Sequence, residues 1–406
     1  MKVLIASTRE LCYMSGSFFL DRIQGSLENA GVEVVRLDFI GNKADFSALE
    51  PFVGESFDAI IDMNSVLPYL INDKEERILD AIDGPFINYI MDHPLYHHPG
   101  LQFPLKNYYA VGLDHRHAEY MQKYYPHLKA VKVLPMAGTR AVSRVPFEKR
   151  NREILFLGTY VQDDIVENKI LELRRQINNA TYETARDLYE DWNEQKETIE
   201  EALEKLLRGY SGAATAQEMD FYIQDVYELA GFSELLNHMF LVDQRKRNEK
   251  RLRVLKRVAE EYPLKVVGEG WDRTELRDTS NVCLVQGCAM SHSFEVMARH
   301  QVILDINPMF FDGLHDRVTS ALANGCVCVT DMAESFDKKL QNENNIMFYK
   351  EKNLERVLEA LNEKSTEELH EIAKAGEKWW ADNYSWSCHA NKLLQFINEI
   401  SKNNNT

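Results

Sequence analysis

Asn307-Pro-Met-Phe-Phe-Asp-Gly-Leu-His-Asp-Arg-Val-Thr-Ser-Ala-Leu-Ala-Asn-Gly-Cys-Val-Cys-Val-Thr-Asp331 is the stretch whose reading decides the fold. The run just before it, 302–306, is short, apolar and β-branched, and Cys326–Thr330 is a second run of the same kind. Between them lie a loop carrying Asp312-Gly313 and a short helix with small residues, Ala321 and Ala323, closed by Gly325. Strand, helix and strand in that order predict a parallel crossover, its helix packed very close to a sheet. The helix N-terminus then opens at the C-terminal edge of the sheet, where unpaired N–H groups and the helix dipole favour an anion. His315 and Arg317 stand at or near that end, and a guanidinium matches phosphate oxygens in pairs. The natural occupant is a diphosphate, met by backbone N–H groups from Gly313 through Leu314 and His315 to Asp316, and by the Arg317 side chain.

Outward from this crossover the same alternation recurs. Strand-like runs at 153–157, 264–267 and 282–285 precede it, and helical patterns at 354–361, 367–383 and 388–400 follow it. From about 163 to 259 the chain is rich in Glu, Lys, Arg, Leu and Ala at helical spacing, which predicts a long helical insertion after the first of these strands. The N-terminal part repeats the scheme: runs at 2–7, 32–39, 57–63, 85–91, 109–112 and 131–134 alternate with helical segments such as 17–30 and 115–125. The fold class is therefore α/β, with two Rossmann-like domains of parallel strands covered on both faces. The expected boundaries are 1–150, 151–387 with its insertion at about 163–259, and 388–406 as a last helix with a frayed tail.

The chain of 406 residues has 47 basic against 64 acidic side chains, a net charge of −17, which argues against a binder of nucleic-acid backbones. Six cysteines are too sparse for a disulfide framework and fit a reducing compartment. The short apolar start before Arg9 and Glu10 is no signal peptide, and no long uncharged apolar run reads as a membrane span. The expected location is cytoplasmic. Arg245–Arg257 holds eight Lys or Arg with Leu252, Leu255 and Val258 at helical spacing. It reads either as the solvated face of a helix or as a surface for peripheral contact with acidic lipid or an acidic partner. The acidic helices of the insertion carry no recognisable chemistry and would extend an acceptor surface or mediate self-association.

Together with the 312–317 loop, three strand ends bring candidate residues to one edge. Gly158-Thr159-Tyr160 and Gly268-Glu269-Gly270-Trp271 each follow a strand, where glycine forms a tight turn or lets a ligand approach the backbone. With Asn307 and Asp312 they complete the candidate set on the diphosphate side of that edge. No Gly-x-Gly-x-x-Gly follows strand 2–7, which speaks against a dinucleotide-dependent dehydrogenase. In the first half, strand 85–91 runs into Asp92-His93-Pro94, with His97 and His98 close behind. These residues face a cleft between domains or simply fix a turn; a metal site lacks the usual ligand spacing. No Asp-x-Asp metal-chelating pair occurs, so the helix dipole and Arg317 replace a cation in the expected chemistry.

The segment 307–331, with the glycine loops before it and the terminal helix after Trp386, resembles the donor-binding half of GT-B glycosyltransferases, closest to the group 1-like branch with the CgeB-type spore-coat proteins. The resemblance covers most of 151–398 in order, and the N-terminal half in layout alone. It implies two domains facing a cleft, a terminal helix crossing back to the first domain, and sugar transfer from a nucleotide-sugar, UDP-, GDP- or dTDP-linked, to a protein, glycan or small-molecule acceptor. The nucleotide-sugar is a substrate, so no cofactor and no metal is implied. Members of the fold often carry two acids eight apart across this loop and helix; here those places hold Asp312 and Ser320. The resemblance also implies that His93 or Asp92 contacts sugar or acts in catalysis, and that Glu10 lies where several inverting members keep their base. A sugar-nucleotide epimerase and a non-catalytic binding or assembly protein share the fold and stand as alternatives.

Overall fold

The computed structural model describes residues 1–39, 46–72, 75–166, 168–169, 186–188, 190–193, 196–211, 230–307, 310–333 and 336–404. Parts of the expected helical stretch, at 170–185 and 212–229, lie outside them, as does the end of the tail at 405–406.

Two six-stranded parallel sheets form the frame. The first has the order β2-β1-β3-β4-β5-β6 and comprises β1 (Lys2–Ser7), β2 (Glu33–Asp38), β3 (Ala59–Met63), β4 (Phe86–Ile90), β5 (Tyr108–Gly112) and β6 (Ala130–Val133). The second has the order β12-β11-β10-β7-β8-β9 and comprises β7 (Asn151–Leu157), β8 (Leu264–Val267), β9 (Val282–Val285), β10 (His300–Asp305), β11 (Val327–Thr330) and β12 (Met347–Phe348). The continuous apolar runs of inner strands such as β3, β4, β5, β10 and β11 follow from burial on both faces. On β1, Leu4 and Ala6 enter one core while Val3 and Ile5 enter the other. The two-residue strand β12 is too short to show a period, and no sequence pattern announces it.

The helices are α1 (Ser15–Asn29), α2 (His98–Leu101), α3 (His115–Tyr124), α4 (Ile199–Ser211), α5 (Ala230–Glu261), α6 (Met290–Met297), α7 (Asp316–Ala323), α8 (Leu354–Glu363), α9 (Thr366–Asn383) and α10 (Trp386–Asn404). Ser365 and Glu368 form a reciprocal capping box that starts α9. The last helix extends to Asn404, past the expected stop at Ile400, and packs Leu393, Phe396, Ile397 and Ile400 on the first sheet.

The insertion leaves from the second sheet but packs on the first. Leu188, Trp192, Ile199, Leu203, Leu236, Met239 and Val242 join the core that holds Tyr96 and Tyr120. Helix α5 then continues into the second domain, where Val254, Leu255, Val258 and Ala259 are core residues beside Phe156 and Val266. One 32-residue helix is thus anchored in both cores.

A second link joins the domains directly. Asp114 is fully buried, caps α3 by accepting from Arg116 N at 2.6 Å, and accepts from Asp312 N at 2.8 Å with its other oxygen. His115 N donates to Asp312 O at 2.9 Å, and Asp114 pairs with Gly313 as an isolated antiparallel bridge. A Cβ on Gly313 would stand 2.7 Å from Asp114 Oδ2, so glycine is required for this close approach.

Candidate active site

A cavity of about 400 Å³, a size that suits a nucleotide-sugar, lies where the C-terminal ends of the two sheets face each other. Its walls come from the loop after β1, the end of β4, the start of α3, the ends of β7 to β10 and the insertion. Four arginines line it: Arg116, half exposed at the start of α3, and three that are set deeper. Arg317, on the first turn of α7, pairs with the fully buried Asp305 at 2.7 Å and lies over the Phe156 ring. Arg247 and Arg251 come from α5 and line the same cavity.

Of the three deeper arginines, two face carboxylates and the third a carbonyl. Arg247 pairs with the buried Asp243, whose carboxyl is pushed up by burial. Arg251 donates through Nη1 to Thr159 O at 2.8 Å, and burial together with Arg247 and Arg317 pulls its guanidinium down to about 9. The Nε atoms of Arg247 and Arg251 are buried without a hydrogen-bond partner among the described residues. Buried donors of this kind carry a penalty that a phosphate would relieve. Asp305 resists the upward push of burial because His315, Arg317 and Thr330 hold it well below the usual carboxylate range.

The expected donor-side residues divide. Gly158, Thr159, His315, Asp316 and Arg317 line the cavity. Gly268 and Gly270 instead let the loops after β7 and β8 lock together: a Cβ on either would stand 2.0 Å from a main-chain oxygen, of Gly158 and Tyr160 respectively. Trp271 is buried and donates its indole N–H to Gly158 O at 2.6 Å, with Tyr160 packed against it. Asn307 is buried and clips the loop through Phe310. Asp312, Gly313 and Leu314 belong to the clasp with Asp114 rather than to the cavity wall, because Asp312 N and Leu314 N are used across the domains. Ser320 is buried against the interdomain linker, where its Oγ faces Thr139 N at 3.4 Å. That position of α7 is turned away from the cleft.

The first-domain candidates divide too. Asp92 lines the cavity with its side chain half exposed; burial would raise its carboxyl, but His97, Arg247 and Asn64 hold it below the usual range. His93 also lines the cavity, yet both ring nitrogens are engaged: Nδ1 accepts from Leu95 N at 3.1 Å and Nε2 meets Glu200 at 2.7 Å. This leaves no ring nitrogen free to take a proton from a substrate. Glu10 sits behind the loop, accepting from Leu11 N, Ser17 N and the Ser17 hydroxyl. It is a staple at the start of α1, not a group in the cleft. His93, His97 and His98 diverge onto Glu200, Asp92 and Tyr125, and no group of three metal-ligating side chains occurs among the described residues.

The basic run behaves differently from either expectation. Arg253 and Arg257 make outer ion pairs with Glu351 and Glu355, while Lys250 pairs with Asp331 at 2.6 Å and Arg247 and Arg251 turn into the cavity. The signal was present: 243, 247 and 251 continue the stripe of Val254, Leu255 and Val258, so charges stand on an inward helix face. Glu200 gave no such signal, since its partner lies 107 positions away.

Residues 245–395 match the family model described as glycosyl transferase-like. The whole chain superposes on solved GT-B glycosyltransferases. An alpha-glucosyltransferase in complex with UDP aligns at TM-score 0.56 and 11% identity, covering 98% of this chain and 100% of that one. The chain has the GT-B fold, and its residues 245–395 are similar to glycosyl transferase-like domains. Sucrose-phosphate synthase from Thermosynechococcus elongatus aligns at TM-score 0.54 and 7% identity over 99% of this chain and 100% of its own. Anabaena Alr3699/HepE in complex with UDP and glucose aligns at 0.52 and 9%, over 98% and 100%. No curated protein sequence matches this GT-B chain. Among the described residues, no helix is long and apolar enough to cross a membrane.

Proposed function

We propose that this GT-B chain transfers a sugar from a UDP-linked donor to an acceptor bound at the first domain, with arginines rather than a metal ion carrying the diphosphate. The observation that carries the reading is the convergence of Arg247, Arg251 and Arg317 on one cavity with two buried N–H donors unpaired. UDP in two of the aligned glycosyltransferases supports the base. As the bond from the sugar to the diphosphate breaks, negative charge grows on the leaving oxygen, and preorganised guanidiniums stabilise it without reorganising. Asp92, held ionised, orients the acceptor hydroxyl, and the acceptor proton leaves to the donor phosphate. The six free cysteines fit a cytoplasmic enzyme. Release of UDP from a panel of UDP-sugars by the purified chain tests the reading; no release from any of them, with or without added acceptors, would contradict it.

A further inference from the structure

We propose that Tyr13 gauges the nucleobase: its ring lies across the donor slot from Thr159 to Gly287 and limits the space left for a base, so that a pyrimidine diphosphate fits and a purine diphosphate does not. The proposal rests on the reading of the cavity as a UDP-sugar site.

The slot lies where β7, β8 and β9 end side by side. Leu157, Gly158, Val267, Gly287, Cys288 and Met290 line it, a mixture of apolar side chains and bare backbone that suits a flat ring. Its inner end meets the arginines. A Cβ on Gly158 would stand 3.7 Å from Arg317 Nη2, and Arg251 is bonded to the adjoining Thr159 carbonyl. A diphosphate held there directs its nucleoside into the slot.

Tyr13 enters from the other domain. Its ring lies on Gly287, where a Cβ would stand 2.6 Å from Cε1, so only glycine admits it. Its hydroxyl shares a hydrogen bond with Thr159 Oγ1 at 2.7 Å and accepts from Glu269 N at 3.2 Å. One side chain thereby touches all three strand-end loops of the slot. The backbone is strained to put it there: Tyr13 and Met14 have φ of 57° and 59°, two successive left-handed residues that are not glycine. Residues with a Cβ avoid this conformation, and it persists only where surrounding contacts over-determine it. Glu10 supplies that support by stapling the loop to Ser17. Holding the domains together does not require it, since the Asp114–Gly313 bridge and α5 already do so. What the strained placement sets is the space left beside these three loops.

Calorimetric titration of the full chain with UDP and with GDP tests this, using the wild type, Tyr13→Phe and Tyr13→Ala. The wild type should prefer UDP by about tenfold or more, and Tyr13→Phe, which keeps the ring, should keep that preference with weaker binding of both nucleotides. Tyr13→Ala should gain GDP affinity and narrow the ratio to about threefold or less. A Tyr13→Ala chain that keeps the wild-type ratio, or a wild type without preference for UDP, overturns the gauge while leaving the donor site standing. A wild type that binds neither nucleotide overturns the UDP-sugar reading and the gauge with it. Should Tyr13→Ala fail to fold, Tyr13→Leu, which shortens the side chain but fills part of the space, carries the same readout.

Discussion

Arg251 Nη1 donates to the Thr159 carbonyl at 2.8 Å, tying the insertion helix to the end of the first strand of the second sheet. Under the proposed donor site this contact aims a buried cation at the diphosphate, and the insertion, which lines the same cavity, then belongs to the active site.

Arg251→Met should therefore have opposite effects on stability and binding. A buried cation with an orphan Nε is a cost to the fold, and a thioether chain of similar length fills its space. The melting temperature should stay level or rise, while UDP affinity falls by about 1.5–3 kcal/mol, the range for a charged hydrogen bond. Thermal unfolding and calorimetry on the same sample check the pair; a fall in stability with unchanged affinity would make Arg251 structural.

Arg317→Ala is a poorer probe of binding. Removing it leaves Asp305 charged, fully buried and short of its main partner, which typically costs about 3–5 kcal/mol. Denaturant titration should show that loss, with Arg317→Lys recovering part of it.

His93→Gln should act on stability more than on turnover. Its imidazole joins Glu200 to the end of β4, and losing it strands a buried carboxylate that His93 helps hold near 2 against the push of burial. A destabilisation of about 2–4 kcal/mol with turnover within tenfold of wild type is expected. A hundredfold loss of turnover at unchanged stability would restore His93 to a catalytic role.

Buried histidines predict the acid side of the stability profile. Burial holds His389 down to about 3 and His117 to about 4, so the native state stays neutral where the unfolded chain, with an ordinary value near 6.5, already binds a proton. Stability is thus full above about pH 6.5 and is lost as pH falls toward 4 and 3, by at most about 1.4 kcal/mol per pH unit for each histidine. His389→Gln should flatten that decline relative to wild type between pH 6 and 4. Parallel curves for the two proteins would show that His389 does not contribute.

The frame was legible because burial on both faces writes itself into the chain as short continuous apolar runs, as at Lys2–Ser7 and Val327–Thr330. Arg317 was legible as well, since a cation on the first turn of a crossover helix has one outlook. Glycine roles were not. Gly268, Gly270 and Gly313 look like ligand loops in sequence, but each serves a close approach between chain segments that only the folded molecule brings together. The same holds for Glu200 and Asp114, whose partners lie about a hundred and two hundred positions away. Arg247 and Arg251 stood in plain view within a basic run that reads as a solvated face or a peripheral surface; only their alignment with Val254 and Val258 on one helix face separates them from the rest of it.

The central claim is that guanidiniums carry the donor diphosphate, and the most direct measurement is calorimetric titration of UDP into the full chain in excess EDTA and again with Mg²⁺. The account predicts the same affinity in both, and a fall in affinity as salt is raised, because the contacts are charge on charge. Binding that disappears with EDTA and returns with Mg²⁺ would contradict it.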